Sequence, residues 1–251
     1  IFLDRATSSN QQKTMVKIVS EFTGSSRMPM IIIDCPSVVK NRAMFSARGA
    51  GILGFSIFGS RKIYALDDDM KLEALLPVLH REIPLKCHAH RADDMLTAIR
   101  IAEEFNIRIT LDHCTDGHLI ADILAKKGYP VLVGPSLGNK SKFELKNKTF
   151  ATPGILHAAG MEVCIITDAP VIPLYHLPLC AGLAIREGLP EDAAWRAITI
   201  NPARVAGIDA RIGSLEAGKD ADIAVFTGKP LREIQARTRQ VFVCGKPVLN
   251  A

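Results

Sequence analysis

The chain has 251 residues, 48% of them hydrophobic, which is enough to bury a sizeable core and places it among globular proteins rather than disordered ones. No stretch approaches the roughly 18 uncharged apolar residues of a membrane span, and the first residues lack the zones of a signal peptide, so the expected address is cytoplasmic. The net charge of +5 is concentrated early: residues 1–66 carry 9 Lys/Arg against 3 Asp/Glu, and residues 67–251 carry 22 against 23, without the interleaved aromatics that would point to nucleic acid.

In chain order, the first third is the least regular. Residues 30–33 and 52–58 read as strands, but Gly24-Ser25-Ser26 and Arg48-Gly49-Ala50-Gly51 interrupt any repeat, and residues 1–66 stay unassigned. From about residue 67, short apolar runs alternate with amphipathic stretches of helical length, the pattern of β/α units around a parallel sheet. Residues 85–88 read as a strand and 92–105 as a helix with Met95, Leu96, Ile99 and Ala102 on its apolar face. A strand at 107–111, a helix at 117–127, a strand at 129–133, a helix at 152–159 and a strand at 163–166 follow. A helix over 190–200 closes this region, and short β elements at 221–226, 240–244 and 247–249 suggest a small β-domain.

Each strand of the middle region ends in polar residues, and a (β/α)8 barrel gathers such ends on one face. His88 and His90 stand two apart at a strand end, so a continuing strand would present both to one side. Such a pair can bind a metal or simply be hydrogen-bonded at the surface. The next strand runs into Asp112-His113-Cys114, with His118 five residues beyond His113, and a later one into Asp168. Convergence of His88, His113 and Asp168 would give either a metal site or an acid–base constellation. Asp112 could orient a neighbouring imidazole, His176 could reach the pocket mouth from a Pro-rich loop, and Gly134-Pro135-Ser136 could lend backbone groups to the rim. His80 and His157 read as surface or packing residues. The six cysteines lack CxxC spacing, which argues against a zinc ribbon or redox motif.

Five segments carry a family resemblance: residues 88–94 (HAHRADD), 111–118 (LDHCTDGH), 166–173 (ITDAPVIP), 197–209 (AITINPARVAGID) and 213–226 (GSLEAGKDADIAVF). Together they resemble the amidohydrolase superfamily in its branch near imidazolonepropionase, over about residues 67–251. The resemblance implies metal ligands from barrel strands five and six, mapping onto His88 and His113. It also implies a strand-eight aspartate, Asp168, that binds metal and takes a proton from the attacking water. His113 joins Asp168 in the implied catalytic set, and His90, His118, Asp112 and His176 are assigned substrate-contacting or supporting roles. Members of the family open the barrel with a His-x-His pair on strand one, whereas no histidine precedes residue 67 here, so the chain reads as a truncated or rearranged member or as lacking elements supplied elsewhere. Ala169 stands where close relatives carry histidine after the aspartate.

The expected architecture is therefore α/β: a partial or rearranged (β/α)8 TIM barrel over residues 67–212, and the C-terminal part of a small β-sandwich over 213–251. The implied activity is hydrolysis of a carbon–nitrogen bond, in a cyclic amide, amidine or dipeptide-like small molecule, by water activated on one or two divalent ions, zinc by preference. The rival expectation is a catalytically degenerate scaffold or oligomerisation protein. A part-barrel leaves sheet edges that need covering, so a homo-oligomer is expected.

Overall fold

The structure, a computed structural model, describes residues 75–250 together with four strands before them: β1 (Lys17–Val19), β2 (Met30–Asp34), β3 (Met44–Ala47) and β4 (Leu53–Ser56). The described residues divide into two compact units, one up to residue 111 and one from residue 112, and the division falls inside strand β6 (Ile109–His113). One sheet has the strand order β1-β2-β5-β6-β7-β8, where β5 is Leu85–Ala89, β7 is Val131–Val133 and β8 is Val163–Ile165.

Within residues 7–111, β2 runs parallel to β5, with Ile31 opposite Leu85 and Asp34 opposite His88. The strand expected at 30–33 is thus present and adds a parallel neighbour to β5 from the segment left unassigned. β1 pairs antiparallel with β2. The expected strand at 52–58 is present over Leu53–Ser56 and pairs antiparallel with β3, its remaining positions lying outside the described residues. After the short helix α1 (Leu76–Leu79) and β5 comes α2 (Ala92–Glu104). Its buried apolar face is Met95, Ala98, Ile99 and Ala102, a spacing of three, one and three that keeps one stripe inward. Leu96, expected on that stripe, is instead exposed, because it falls one residue round the helix from Met95. Asp93 and Asp94 occupy the first turn, where the amide dipoles favour negative charge.

Within residues 112–251, β7 and β8 run parallel and every residue of both is buried, as expected of strands covered on two faces. The helices are α3 (Ala121–Lys127), α4 (Thr152–Ala158), α5 (Leu177–Arg186), α6 (Glu191–Ile198) and α7 (Ile200–Val205). The helix expected over 190–200 is two helices, broken at Thr199, whose dihedrals (φ −129°, ψ −89°) lie outside the helical region. Around Ile165 of β8 the buried core is built from Cys180, Ala181 and Ala184 of α5, from Ala193, Ala194 and Ala197 of α6, and from Leu189 and Leu231. Gly182 brings α5 so close to the segment at Leu231 that a Cβ there would lie 2.4 Å from the Leu231 carbonyl oxygen. The side chain of Asn201, in α7, is buried and donates through Nδ2 to the Val163 carbonyl at 2.9 Å, fastening α7 to β8. Beyond it, β9 (Ile223–Phe226), β10 (Thr238–Val243) and β11 (Lys246–Asn250) form an antiparallel three-stranded sheet in the order β11-β10-β9.

Candidate metal centre

On β5 the alternation of side chains places Lys86, His88 and, just past the strand end, His90 in one phase, with Cys87 and Ala89 in the other. Lys86 and His90 are buried and His88 half-buried. The two imidazoles meet edge to face, centroids 4.9 Å apart and planes at 78°, as the two-residue spacing requires of a strand end. Arg91 then turns the chain into α2, holding Asp93 with two 2.8 Å bonds; that guanidinium lowers the Asp93 carboxyl below its ordinary pKa.

The strand β6 is buried along its whole length and delivers His113 at its last position. His113 and Cys114 have φ of +76° and +45°, the left-handed region that side chains with a Cβ rarely occupy. Such conformations persist only where surrounding bonds enforce them. Here the enforcing partner is Gly134. His113 Nδ1 lies 2.7 Å from the Gly134 carbonyl oxygen, and the Gly134 amide donates back to the His113 carbonyl at 3.3 Å. A carbonyl can only accept, so Nδ1 carries the proton and the lone pair of the neutral ring is left on Nε2. Gly134 itself has φ +137°, and a Cβ on it would lie 2.1 Å from the Ile166 carbonyl oxygen, so glycine is required at this point.

Asp168 follows β8 by three residues. It is half-buried, also left-handed at φ +51°, and its carbonyl accepts from the Val171 amide at 2.8 Å in the turn that follows. Asp112 is buried beside His113. Burial, reinforced by the charge of Asp112, pushes the Cys114 thiol well above its usual pKa, so Cys114 is a packing residue rather than a nucleophile. His118 Nδ1 is hydrogen-bonded to Thr152 Oγ1 at 3.0 Å. His176 ends a 3-10 turn directly before α5, with its ring 4.4 Å from the exposed Tyr175 ring. Among the residues without a functional role, His80 is exposed and faces Glu82 at 3.6 Å.

Three imidazoles, His88 and His90 at the end of β5 and His113 at the end of β6, form a set that could hold a metal ion. The donor chemistry agrees, because neutral imidazole suits a divalent transition metal and the Gly134 carbonyl fixes the His113 tautomer that leaves Nε2 as donor. The sequence assigned His90 a contact role and Asp168 a ligand role; the group of three contains His90 and does not contain Asp168.

Residues 78–248, more than half of the chain, match the pattern of the amidohydrolase family. Among curated proteins, the amidohydrolase tasK of Hapsidospora irregularis is 29% identical over 184 residues, covering 72% of this chain and 19% of that protein. The imidazolonepropionase of Maricaulis maris (strain MCS10) is 34% identical over 150 residues, covering 57% of this chain and 35% of the relative. Among solved structures, an amidohydrolase from Thermotoga maritima MSB8 is 41% identical with a TM-score of 0.71, over 74% of this chain and 49% of that one. An adenosine deaminase from Xanthomonas campestris with bound zinc shares the fold at 21% identity and a TM-score of 0.52, over 74% of this chain and 50% of that one. The chain thus spans about a third or less of these curated relatives and about half of the solved chains. By the match over residues 78–248, the chain belongs to the amidohydrolase family.

Proposed function

We propose that this chain is the metal-bearing part of a hydrolase that cleaves a carbon–nitrogen bond in a small cyclic amide, amidine or dipeptide-like molecule. What carries the reading is the set of strand-end imidazoles His88, His90 and His113, with the His113 tautomer set by Gly134. These histidines would hold one divalent ion, with zinc the metal their nitrogen donors suit. When bound, such an ion supplies Lewis acidity and makes water a nucleophile near neutral pH.

The chain's own residues supply the rest. His113 keeps its Nδ1 proton on the Gly134 carbonyl, so its ring cannot swing away or trade tautomers during turnover. Asp168, a half-buried carboxylate at the head of a tight turn, takes the proton of the attacking water and returns it to the departing nitrogen. Its role as a further ligand belongs to the same proposal. His118, held by Thr152, and His176 and Asp112 are assigned to contacting the substrate or supporting the ligands. In the same reading the strands β5 to β8 belong to a (β/α)8 barrel over residues 67–212, and the β9–β11 sheet is part of a β-sandwich over residues 213–251. A small-molecule substrate and a homo-oligomeric assembly complete the proposal.

The test combines metal analysis with hydrolysis. Zinc content should fall on His88→Ala and His113→Ala, and turnover of a panel of cyclic amides and dipeptides should fall roughly 100-fold or more on Asp168→Asn, in line with loss of a general base. Metal bound equally by the histidine variants would remove the proposed centre. A true hydrolysis rate untouched by Asp168→Asn would remove the proton-transfer role. A metal-loaded protein inert to the whole panel would favour the scaffold reading.

A further inference from the structure

A chain that leaves a strand through two left-handed residues, His113 at φ +76° and Cys114 at φ +45°, must be held beyond the turn as well as at it. The hold at the turn is Gly134, which bonds both the ring and the carbonyl of His113. Two further bonds follow in step along the same pair of segments. Asn147 Nδ2 donates to the Asp116 carboxylate at 2.9 Å, and Thr152 Oγ1 is bonded to His118 Nδ1 at 3.0 Å. Residues 113, 116 and 118 are thus gripped in order by residues 134, 147 and 152, along the connection that leads from β7 into α4. We propose that Asn147 and Thr152 are positioning residues for His113, locking the segment after β6 so that the imidazole stays on the Gly134 carbonyl with Nε2 presented to a metal. The inference rests on the hydrolase reading for the metal, and on these bonds alone for the placement of the ring.

Three features make the grip effective. First, the segment after His113 moves as one piece. The Gly117 amide donates to the Cys114 carbonyl at 2.9 Å and the Leu119 amide to the Asp116 carbonyl at 2.9 Å, so a displacement at Asp116 or His118 is passed back towards His113. Cys114, Thr115, Asp116 and Gly117 are all buried, and a Cβ on Gly117 would stand 3.3 Å from the Leu156 side chain of α4, which leaves little slack.

Second, the connection is stiff where Asn147 sits. Lys140 Nζ donates to the Lys146 carbonyl and Lys148 Nζ to the Asn139 carbonyl, each at 2.9 Å, so the residues on both sides of Asn147 are tied across the loop. Third, the partners suit the task. A buried carboxylate such as Asp116 accepts a charge-assisted bond, which is stronger than a neutral one. Thr152, the first residue of α4, is fully buried, and its hydroxyl can donate or accept, so it holds either tautomer of His118.

The test reads the ring itself, in the full chain without added metal. Long-range ¹H–¹⁵N correlations across the imidazole should show His113 of the unmodified chain in the Nδ1–H tautomer alone. Asn147→Ala and Thr152→Val should each turn this into a mixture of tautomers, whereas Thr152→Ser, which keeps the hydroxyl, should retain the single form. Leu231→Ala, which loosens the core between α5 and α6 instead, should lower the melting temperature and leave the tautomer unchanged. With zinc added, Asn147→Ala and Thr152→Val should each bind it about tenfold more weakly than the unmodified chain, the usual effect of losing a group that orients a ligand. A mixture of tautomers already present in the unmodified chain overturns the proposal whether or not the variants fold. A single Nδ1–H tautomer kept by both variants, or equal mixing in Leu231→Ala, also overturns it. A tautomer that responds as expected in a chain that binds no zinc would uphold the grip and count against the metal centre alone.

Discussion

Gly134 governs the tautomer of His113. Its carbonyl receives the His113 proton, and it sits at φ +137° with the Ile166 carbonyl where a side chain would begin. Gly134→Ala must therefore move the backbone that orients the ring. The expected result is a loss of zinc affinity of about 10- to 100-fold, the usual cost of removing the partner that orients a ligand. Titration calorimetry of the folded variant checks it, and unchanged affinity would detach Gly134 from the centre. At this scale the sequence was only partly legible. The spacing of His88 and His90 follows from strand geometry and could be read directly. The left-handed turns at His113, Cys114 and Asp168 could not, because positive φ stays uncommon even for His and Asp, the types enriched in it, and Cys carries no such preference. Gly134-Pro135-Ser136 read as an ordinary loop because a glycine's requirement is set by what packs against it, here a carbonyl 32 residues further along the chain.

Between elements, the connection that matters most to the candidate site is the bond from Asn201 to the Val163 carbonyl, since β8 leads into Asp168. Asn201→Ala removes a buried donor and strands a strand carbonyl, at a cost of about 1–3 kcal/mol. In a chain of this size that lowers the melting temperature by roughly 2–12 °C. A calorimetric scan showing no change would mean that α7 is held by packing alone. The alternation of strands and helices was readable from residue 85 onward because apolar runs of strand length are separated by amphipathic ones. The helix α5 was not, since Pro173 and Pro178 flank its start and the segment read as a Pro-rich loop; yet proline in a first helical turn costs no hydrogen bond. The split between α6 and α7 was equally hidden, as it turns on the backbone of Thr199 rather than on a helix-breaking residue type.

For the molecule as a whole, metal binding and folding should be linked. In the proposed centre the donors come from separate strands and are assembled only in the folded chain, so an ion bound there stabilises the native state by mass action. With free zinc at about 100 times its dissociation constant the gain is about 2.7 kcal/mol. The expected rise in melting temperature is roughly 5–10 °C, absent in His113→Ala and reversed by a chelator. A zinc-independent melting curve in the unmodified chain would deny the coupling. Family membership was legible in the sequence because its last two matching segments, around Asn201-Pro202 and Gly218-Lys219, combine turn residues with a strand pattern at fixed spacing.

The packing of α5 against α6 carries a practical lesson for mutational study. Five of the nine buried residues in that core are alanines, so truncation scanning would report silence over the very contact that supports β8. Its vulnerability runs in the other direction, towards added bulk: each extra methyl group must displace a helix rather than leave a void. Sequence variants here should be judged by what they add, and a chart of alanine tolerance would mistake a tightly constrained seam for a neutral one.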